Sequence, residues 1–430
     1  MAFIQRAFYQ LLLWLLLPLI PFRLLGRGFK ERGYWRHIAE RFGFMGTLPV
    51  RSVWLHAVSV GEARAAAPLV EKWLALTPPP PVLMTCMTPA GRATLEHLFG
   101  GRVTVRYLPY DLRGAMRRFL RQARPRLGII METELWPHLV QAAQHAGVKL
   151  FLVNARLSER SARGYRKLAA LTRDTLAGFE FVAAQTQADA ERLRGLGARK
   201  VSVAGNLKFD IDPPAAQLEL GRVFRAKIGD RPVWLVASTR EGEERLVLGA
   251  FALHAPTEVL LVLVPRHPQR FGEVAALVEG CGLSLQRRSD NEAVRSSTRV
   301  WLGDSLGEMF AYYQAADCAL IGGSLLPYGG QNLIEACAVG CPVLLGPHTE
   351  NFKQAAADAI AQGAAVRVKD AGAWVSEAAR LMQDSTARRQ MGAAGRTFTA
   401  AHQGATGRVW AGLTAYGPAS EDTASDGAGG

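Results

Sequence analysis

Residues 318–336 read CALIGGSLLPYGGQNLIEA. Cys318 to Ile321 form a short apolar run, glycines follow at 322, 323, 329 and 330, and a helical pattern opens near Asn332. A continuous apolar run, unlike an alternating one, predicts a strand covered on both faces, and so a parallel sheet flanked by helices. The glycines allow backbone to approach a ligand closely. The first N–H groups of the next helix have no intrahelical acceptor and suit a phosphate. Glu335, about one turn in, can accept from ribose hydroxyls. Strand, glycine loop and helix together point to nucleotide binding.

The same unit recurs to either side. Toward the N-terminus, apolar runs fall at Val53–Ala57, Val82–Cys86, Val103–Tyr107, Leu127–Ile130, Leu150–Val153, Phe181–Ala184 and Val201–Ala204. The second half adds Val233–Ala237, Val259–Val264, Val300–Leu302, Val343–Leu345 and Ala365–Val368. Helical stretches separate them. Two successive βα series predict two doubly wound α/β domains, with ligands bound at the carboxyl ends of the strands. Asp212-Pro213-Pro214 closes the first series, so the expected division is 31–212 and 213–416. Residues 417–430 are rich in Ser, Asp, Ala and Gly and read as a disordered tail.

Bulk properties agree with two domains. The chain has 430 residues, 49% hydrophobic, which excludes disorder of the whole. The formal net charge is +14. Nucleic acid, anionic lipid or a phosphorylated substrate would each use that surplus. Basic stretches lack aromatic interleaving and no nucleic-acid-binding motif appears, so nucleic acid is not the expected partner. The five cysteines are odd in number and lack CxxC spacing, which suits reduced core thiols.

Residues 1–30 form a separate segment. Ala7 to Phe22 are apolar apart from Gln10, with Pro18 and Pro21 interrupting. The run falls short of the roughly 20 residues of a spanning helix. It suits a shallow anchor, a short span or a signal-peptide core, although no small-x-small cleavage site follows. Cations at Arg23, Arg27, Lys30, Arg32 and Arg36 would hold an anionic cytoplasmic leaflet.

Acids and bases stand at strand ends. Glu62 closes HAVSVGE (56–62), and Glu132 and Glu134 lie in METELWP (131–137). Glu62 at a helix start would have its pKa lowered by the dipole, so a basic role requires partial burial. Lys208 lies in GNLKFD (205–210), where a lysine can hold a phosphate or carboxylate as a point charge. Asp210-Ile211-Asp212 matches a metal-binding D-x-D pattern, but three-residue patterns recur by chance, and no metal site is expected. In STREGEE (238–244), Ser238 or Thr239 is expected to cap a helix. VPRHP (264–268) aims Arg266 and His267 outward, and GDSLGE (303–308) follows another strand.

With NARLSERS (154–161), these segments occur in an order that resembles the Kdo transferases, the 3-deoxy-D-manno-octulosonic acid transferases of lipopolysaccharide synthesis. The resemblance covers nearly the whole chain except the tail. It implies a GT-B fold with two Rossmann-like domains facing across a cleft, an N-terminal half for the lipid acceptor and a C-terminal half for CMP-Kdo. It implies Glu62 as proton acceptor, and Glu132 and Lys208 as transition-state stabilisers. Pro265, Arg266, Leu306, Gly307, Glu308, Asn332, Leu333, Ile334 and Glu335 would contact CMP. No cofactor or metal is implied beyond the donor substrate. The partners implied are the lipid A precursor (lipid IV-A) and anionic inner-membrane lipid at the cytoplasmic face. Two other readings stay open. One is a related enzyme with a diphosphate donor, which would share the glycine loop but not the VSVGE and METELWP pair. The other is a membrane scaffold, which leaves the acids and glycines at strand ends unexplained.

Overall fold

The computed structural model describes residues 2–416; the expected tail at 417–430 lies outside the described residues. Two compact units divide the chain. The first runs to Asp210 and resumes at Gly404; the second spans Ile211–Gln403.

The first unit holds a seven-stranded sheet: β1 (Val53–His56), β2 (Val82–Cys86), β3 (Thr104–Tyr107), β4 (Leu127–Met131), β5 (Lys149–Ala155), β6 (Phe179–Ala184) and β7 (Val201–Val203). Every pairing is parallel, in the order β3-β2-β1-β4-β5-β6-β7. The apolar runs explain the two-sided burial. Val53 and Leu55 enter one core, while Trp54 enters the core on the opposite face.

The second unit repeats the plan with β8 (Val233–Thr239), β9 (Leu260–Pro265), β10 (Leu285–Arg287), β11 (Val300–Leu302), β12 (Cys318–Ile321), β13 (Val343–Leu345) and β14 (Ala365–Arg367). Its order is β10-β11-β9-β8-β12-β13-β14, again parallel throughout. The apolar pattern locates every strand except β10. That strand, Leu-Gln-Arg, has no apolar run; pairing with β11 makes it a strand.

The expected second domain ended at 416, but the helix Ala405–Tyr416 belongs to the first unit. Ala405, Val409 and Leu413 are buried in the first unit's core, and Trp410 meets Trp73 at 4.6 Å between ring centroids. Asp210 seals this return. Its carboxylate accepts the backbone N–H groups of Gly404 (2.6 Å), Ala405 (3.2 Å) and Thr406. The first acid of the D-x-D pattern is therefore a helix cap. All five cysteines are free thiols, four of them buried.

Six helices of the first unit matter for the site: α1 (Ala2–Leu16), α2 (Leu19–Lys30), α3 (Val60–Leu74), α4 (Pro89–Phe99), α5 (Arg113–Ala123) and α6 (Pro137–His145). Among the described residues no single helix is long and apolar enough to cross a membrane; α1 and α2 pass that test only as a pair bent by 51°. α1 is stitched to the body of the unit along one side. Arg6 pairs with Asp174 at 3.0 Å, Gln5 accepts from the Leu171 N–H at 2.9 Å, and the Tyr9 hydroxyl donates to Asp111 at 2.9 Å. Phe8, Leu11, Trp14, Leu15 and Phe22 remain exposed.

Candidate active site

Strand order reverses direction beside β1 in the first sheet and beside β8 in the second. At such switch points the loops leaving adjacent strands diverge and open a crevice at the carboxyl edge. HAVSVGE leaves β1 and METELWP leaves β4, its sheet neighbour. STREGEE leaves β8 and the glycine loop leaves β12, likewise its neighbour. Motifs far apart in the chain thus share one edge within each unit.

In the first unit, Ser59 caps α3 by accepting from the Glu62 N–H. The helix starts at Val60, so Glu62 is its third residue. Its carboxylate folds back to accept from the Val58 N–H at 2.8 Å and the Ser59 hydroxyl at 3.0 Å. This variant of a capping box buries the side chain. Burial pushes the Glu62 carboxyl up to about 7, with Glu132 and then Glu134 adding repulsion against these hydrogen bonds. A carboxylate poised there can take a proton near neutral pH.

Glu132 follows β4 with φ +55°, a left-handed backbone that costs a non-glycine residue about 1–3 kcal/mol. The turn leaves its side chain 3.3 Å from the Lys208 ammonium. Lys208 is fixed in turn: Asn206 accepts its N–H, and buried Asn154 accepts the N–H of Leu207. Glu134 accepts from the Trp136 indole at 2.9 Å and is held above its ordinary range by burial, then by Glu132. Glu62, Glu132 and Lys208 therefore converge, with Glu134 as a further acid. His56 is no base here: burial lowers it to about 3, and its Nδ1 meets Thr85.

The second unit inverts this electrostatic character. Gly242, not Ser238 or Thr239, caps the helix Glu243–His254. Buried Glu243 accepts the N–H groups of Arg240 (2.9 Å), Gly323 (2.6 Å) and Leu325 (2.9 Å), so it holds the glycine loop. Glu244 takes Arg270 in a bidentate pair at 2.7 and 3.2 Å. Gly322 is required by close approach, since a Cβ would sit 2.5 Å from the Ser238 carbonyl oxygen.

Two of the three acids of STREGEE, Glu243 and Glu244, are thus committed to the scaffold, while Glu241 is exposed. Arg240 lies 3.0 Å from His267 Nε2 and over the Tyr328 ring. Burial, then Arg240, Arg266 and Arg270, hold His267 below its ordinary range. Arg266 and Glu335 both act electrostatically on buried Tyr313. Asn332 donates to Glu335 at 3.1 Å and accepts the Ile334 N–H. Leu333 and Ile334 are wholly buried, so neither presents a side chain to a ligand. Pro265 ends β9 in register with Thr239. Beyond β11, Leu306 is exposed and Gly307 has φ +77°. Glu308 is tied to Arg288 and Ser305. Arg240 was not among the expected site residues; its place directly behind a strand end makes it a further candidate. Among the described residues, no three His, Cys, Asp or Glu side chains converge as a metal site.

Two parallel Rossmann-like units with motifs at their strand ends have the GT-B-like fold. Solved structures of that fold align over most of the chain. A glycosyltransferase from Rickettsia africae matches with TM-score 0.56 and 12% identity, over 85% of this chain and 98% of that one. The UDP-GlcNAc 2-epimerase of Neisseria meningitidis matches with TM-score 0.55 and 15% identity, over 84% and 99%. At these identities the likeness concerns fold alone. Sequence is more specific. Residues 36–211 match the 3-deoxy-D-manno-octulosonic-acid transferase (kdotransferase) family, and residues 246–398 match glycosyl transferases group 1. The 3-deoxy-D-manno-octulosonic acid transferase of Bordetella pertussis is 46% identical over 94% of this chain and 97% of its own length. That of Haemophilus influenzae is 38% identical over 81% and 84%. The chain belongs to the Kdo transferase family.

Proposed function

We propose that the protein transfers Kdo from CMP-Kdo to the lipid A precursor (lipid IV-A) by inverting single displacement without a metal. The observation that carries this is Glu62, a buried carboxyl raised to about 7 beside the Glu132–Lys208 pair. The acceptor hydroxyl has a pKa far above neutral, so its proton must leave as attack proceeds. Glu62 takes that proton while the oxygen attacks the anomeric carbon. The bond from that carbon to the phosphate oxygen breaks, and its electron pair leaves with CMP. Attack from the opposite face inverts the centre. A monophosphate leaving group needs less charge neutralisation than a diphosphate. Arg240 and Arg266 supply cationic stabilisation. Lys208 offsets the charge of Glu132, which keeps the acid cluster from repelling a phosphorylated acceptor.

The N-terminal segment supports placement at the cytoplasmic face of a bacterial inner membrane. α1 is pinned to the first unit by Arg6, Gln5 and Tyr9 and bends into α2, so its exposed apolar side suits lying in the interface rather than spanning. Arg113, Arg117 and Arg121 add exposed cations for anionic lipid. Other arginines of the first unit serve the fold. Arg102 pairs with Glu71, Arg166 with Glu159, and Arg106 donates to Met45 and Thr47 carbonyls.

The test is mass spectrometry of the lipid made from CMP-Kdo and tetraacyl precursor by purified full-length protein, with and without a chelator. A product heavier by Kdo, formed in both cases, is expected. Thermal protection by UDP and not by CMP would overturn the donor assignment.

A further inference from the structure

A cavity of about 460 Å³ lies between α1 and the start of α5. Small-molecule sites span roughly 300–1,000 Å³. Its wall is chiefly apolar: Trp14 and Leu17 line it from α1 and its end, and Leu112 and Gly114 from α5 and its cap. Cations stand with this apolar wall. Arg113 lines the cavity, is exposed, and has no ion-pair partner among the described residues. Arg118 also lines it; it donates to the Phe42 carbonyl at 2.7 Å, yet its buried Nε has no acceptor. The buried Gln10 Oε1, on a third lining residue, has no donor.

The chemistry that fits is an apolar chain attached to an anionic head. The exposed apolar row of α1, including Leu11 and Leu15, continues onto this cavity and gives a chain its entry. The cavity is also tied to the acid loop. Leu112 directly follows Asp111, whose carboxylate accepts the N–H groups of His138 (3.0 Å) and Leu139 (2.8 Å). Those residues open α6 immediately after the Glu132–Trp136 loop. Tyr9 of α1 donates to the same carboxylate. A chain seated here is therefore held by the elements that position Glu132 and Glu134. A bulk membrane lipid would gain nothing from that link; an acceptor lipid would.

We infer that this cavity is an acyl-chain subsite for the acceptor, with one acyl chain between α1 and α5 and a phosphate on Arg113 and Arg118. This rests on the proposed reaction with a phosphorylated lipid. Gly114 offers the means to close it: a Cβ there meets only Arg118 Nη1, at 3.6 Å, so a larger side chain enters without a backbone clash.

The experiment compares full-length protein and Gly114→Trp in detergent micelles, using the tetraacyl acceptor and its acyl-free phosphorylated analogue. The ratio of KM for acylated over acyl-free acceptor should rise about tenfold, the equivalent of losing roughly two buried methylenes. An equal change with both acceptors, or none with either, overturns the inference. So does weakened vesicle binding with an unchanged KM ratio, which would assign the cavity to bilayer lipid. A second readout needs no turnover. Acceptor with brominated acyl chains should quench the fluorescence of unaltered protein, and Trp14→Phe should remove most of that quenching. Quenching independent of Trp14 also overturns it. Quenching through Trp14 by a lipid that receives no Kdo would uphold the subsite and sink the reaction proposed above.

Discussion

The two switch points share one topology and carry opposite charge. The loops after β1 and β4 gather Glu62, Glu132 and Glu134 around one lysine. The loops after β8 and β12 also contain acids, but Glu243 is consumed by three backbone N–H groups and Glu244 by Arg270. Arg240, lying over the Tyr328 ring, is the prominent cation there. The contrast teaches that an acid in a strand-end motif is not catalytic by type or position. Burial, then Glu132, raises Glu62 to about 7 against its two donors, whereas Glu243 is spent in binding three backbone N–H groups of the scaffold. Each switch point also holds one non-glycine residue at positive φ, Glu132 in one unit and Ser238 in the other. Such strain persists where surrounding structure imposes it, and it clusters at functional sites.

This contrast can be broken most directly at Glu62. Glu62→Gln should lower kcat roughly 10²–10⁴-fold, the usual range for a general base, while CMP binding by calorimetry stays intact. Retained turnover would remove the distinction between the two regions. Glu243→Ala should act in the other unit and through the other parameter. It leaves buried N–H groups unpaired at about 1–3 kcal/mol each, so CMP affinity should fall about a hundredfold as the glycine loop loosens. A loss confined to kcat, with CMP affinity unchanged, would show that the second unit's acids also do chemistry.

The pH dependence sharpens the first half. Glu62 must be ionised to accept a proton, so kcat/KM should fall about tenfold per unit as pH drops below about 7. Stability runs the opposite way. The folded state keeps the proton up to about 7, whereas the unfolded carboxyl, at its ordinary 4.5, has already lost it. Between those values folding takes up a proton, so wild-type stability declines as pH rises through the window. Glu62→Gln lacks this decline. Its advantage in chemical denaturation should grow from pH 5 to pH 8 toward roughly 2–3 kcal/mol. A constant difference across that range would mean that Glu62 is ionised throughout. The smallest effect expected is from Tyr9→Phe, which removes one donor to buried Asp111. It should cost about 1 kcal/mol by denaturation and raise acceptor KM more than donor KM. Equal changes in both would make α1 a mere brace.

Much of this was legible without coordinates, and unevenly so. Apolar runs such as Cys318–Ile321 and Val82–Cys86 mark buried parallel strands because such strands are covered on both faces. β10 escaped because its identity comes from its neighbour. Glu62, Glu132 and Lys208 were picked out by their places at strand ends and by family resemblance. The condition on Glu62, that burial must restore its basicity, was also visible in advance. The strand-end position of Arg240 is a weak signal, because its contacts with His267 and the Tyr328 ring come from distant parts of the chain.

Sequence by itself determined what depends on neighbours along the chain: two βα series, an apolar N-terminal segment, glycines where backbone must approach, and the family. Tertiary structure decided what depends on neighbours in space. It made Asp210 the cap of a returning helix instead of a candidate metal ligand, since the N–H groups it accepts lie almost two hundred residues onward. It brought residues 56–62 beside 131–136 through the pairing of β1 with β4. It set the proton affinity of Glu62, because desolvation and through-space repulsion are properties of the surroundings, and only folding supplies those.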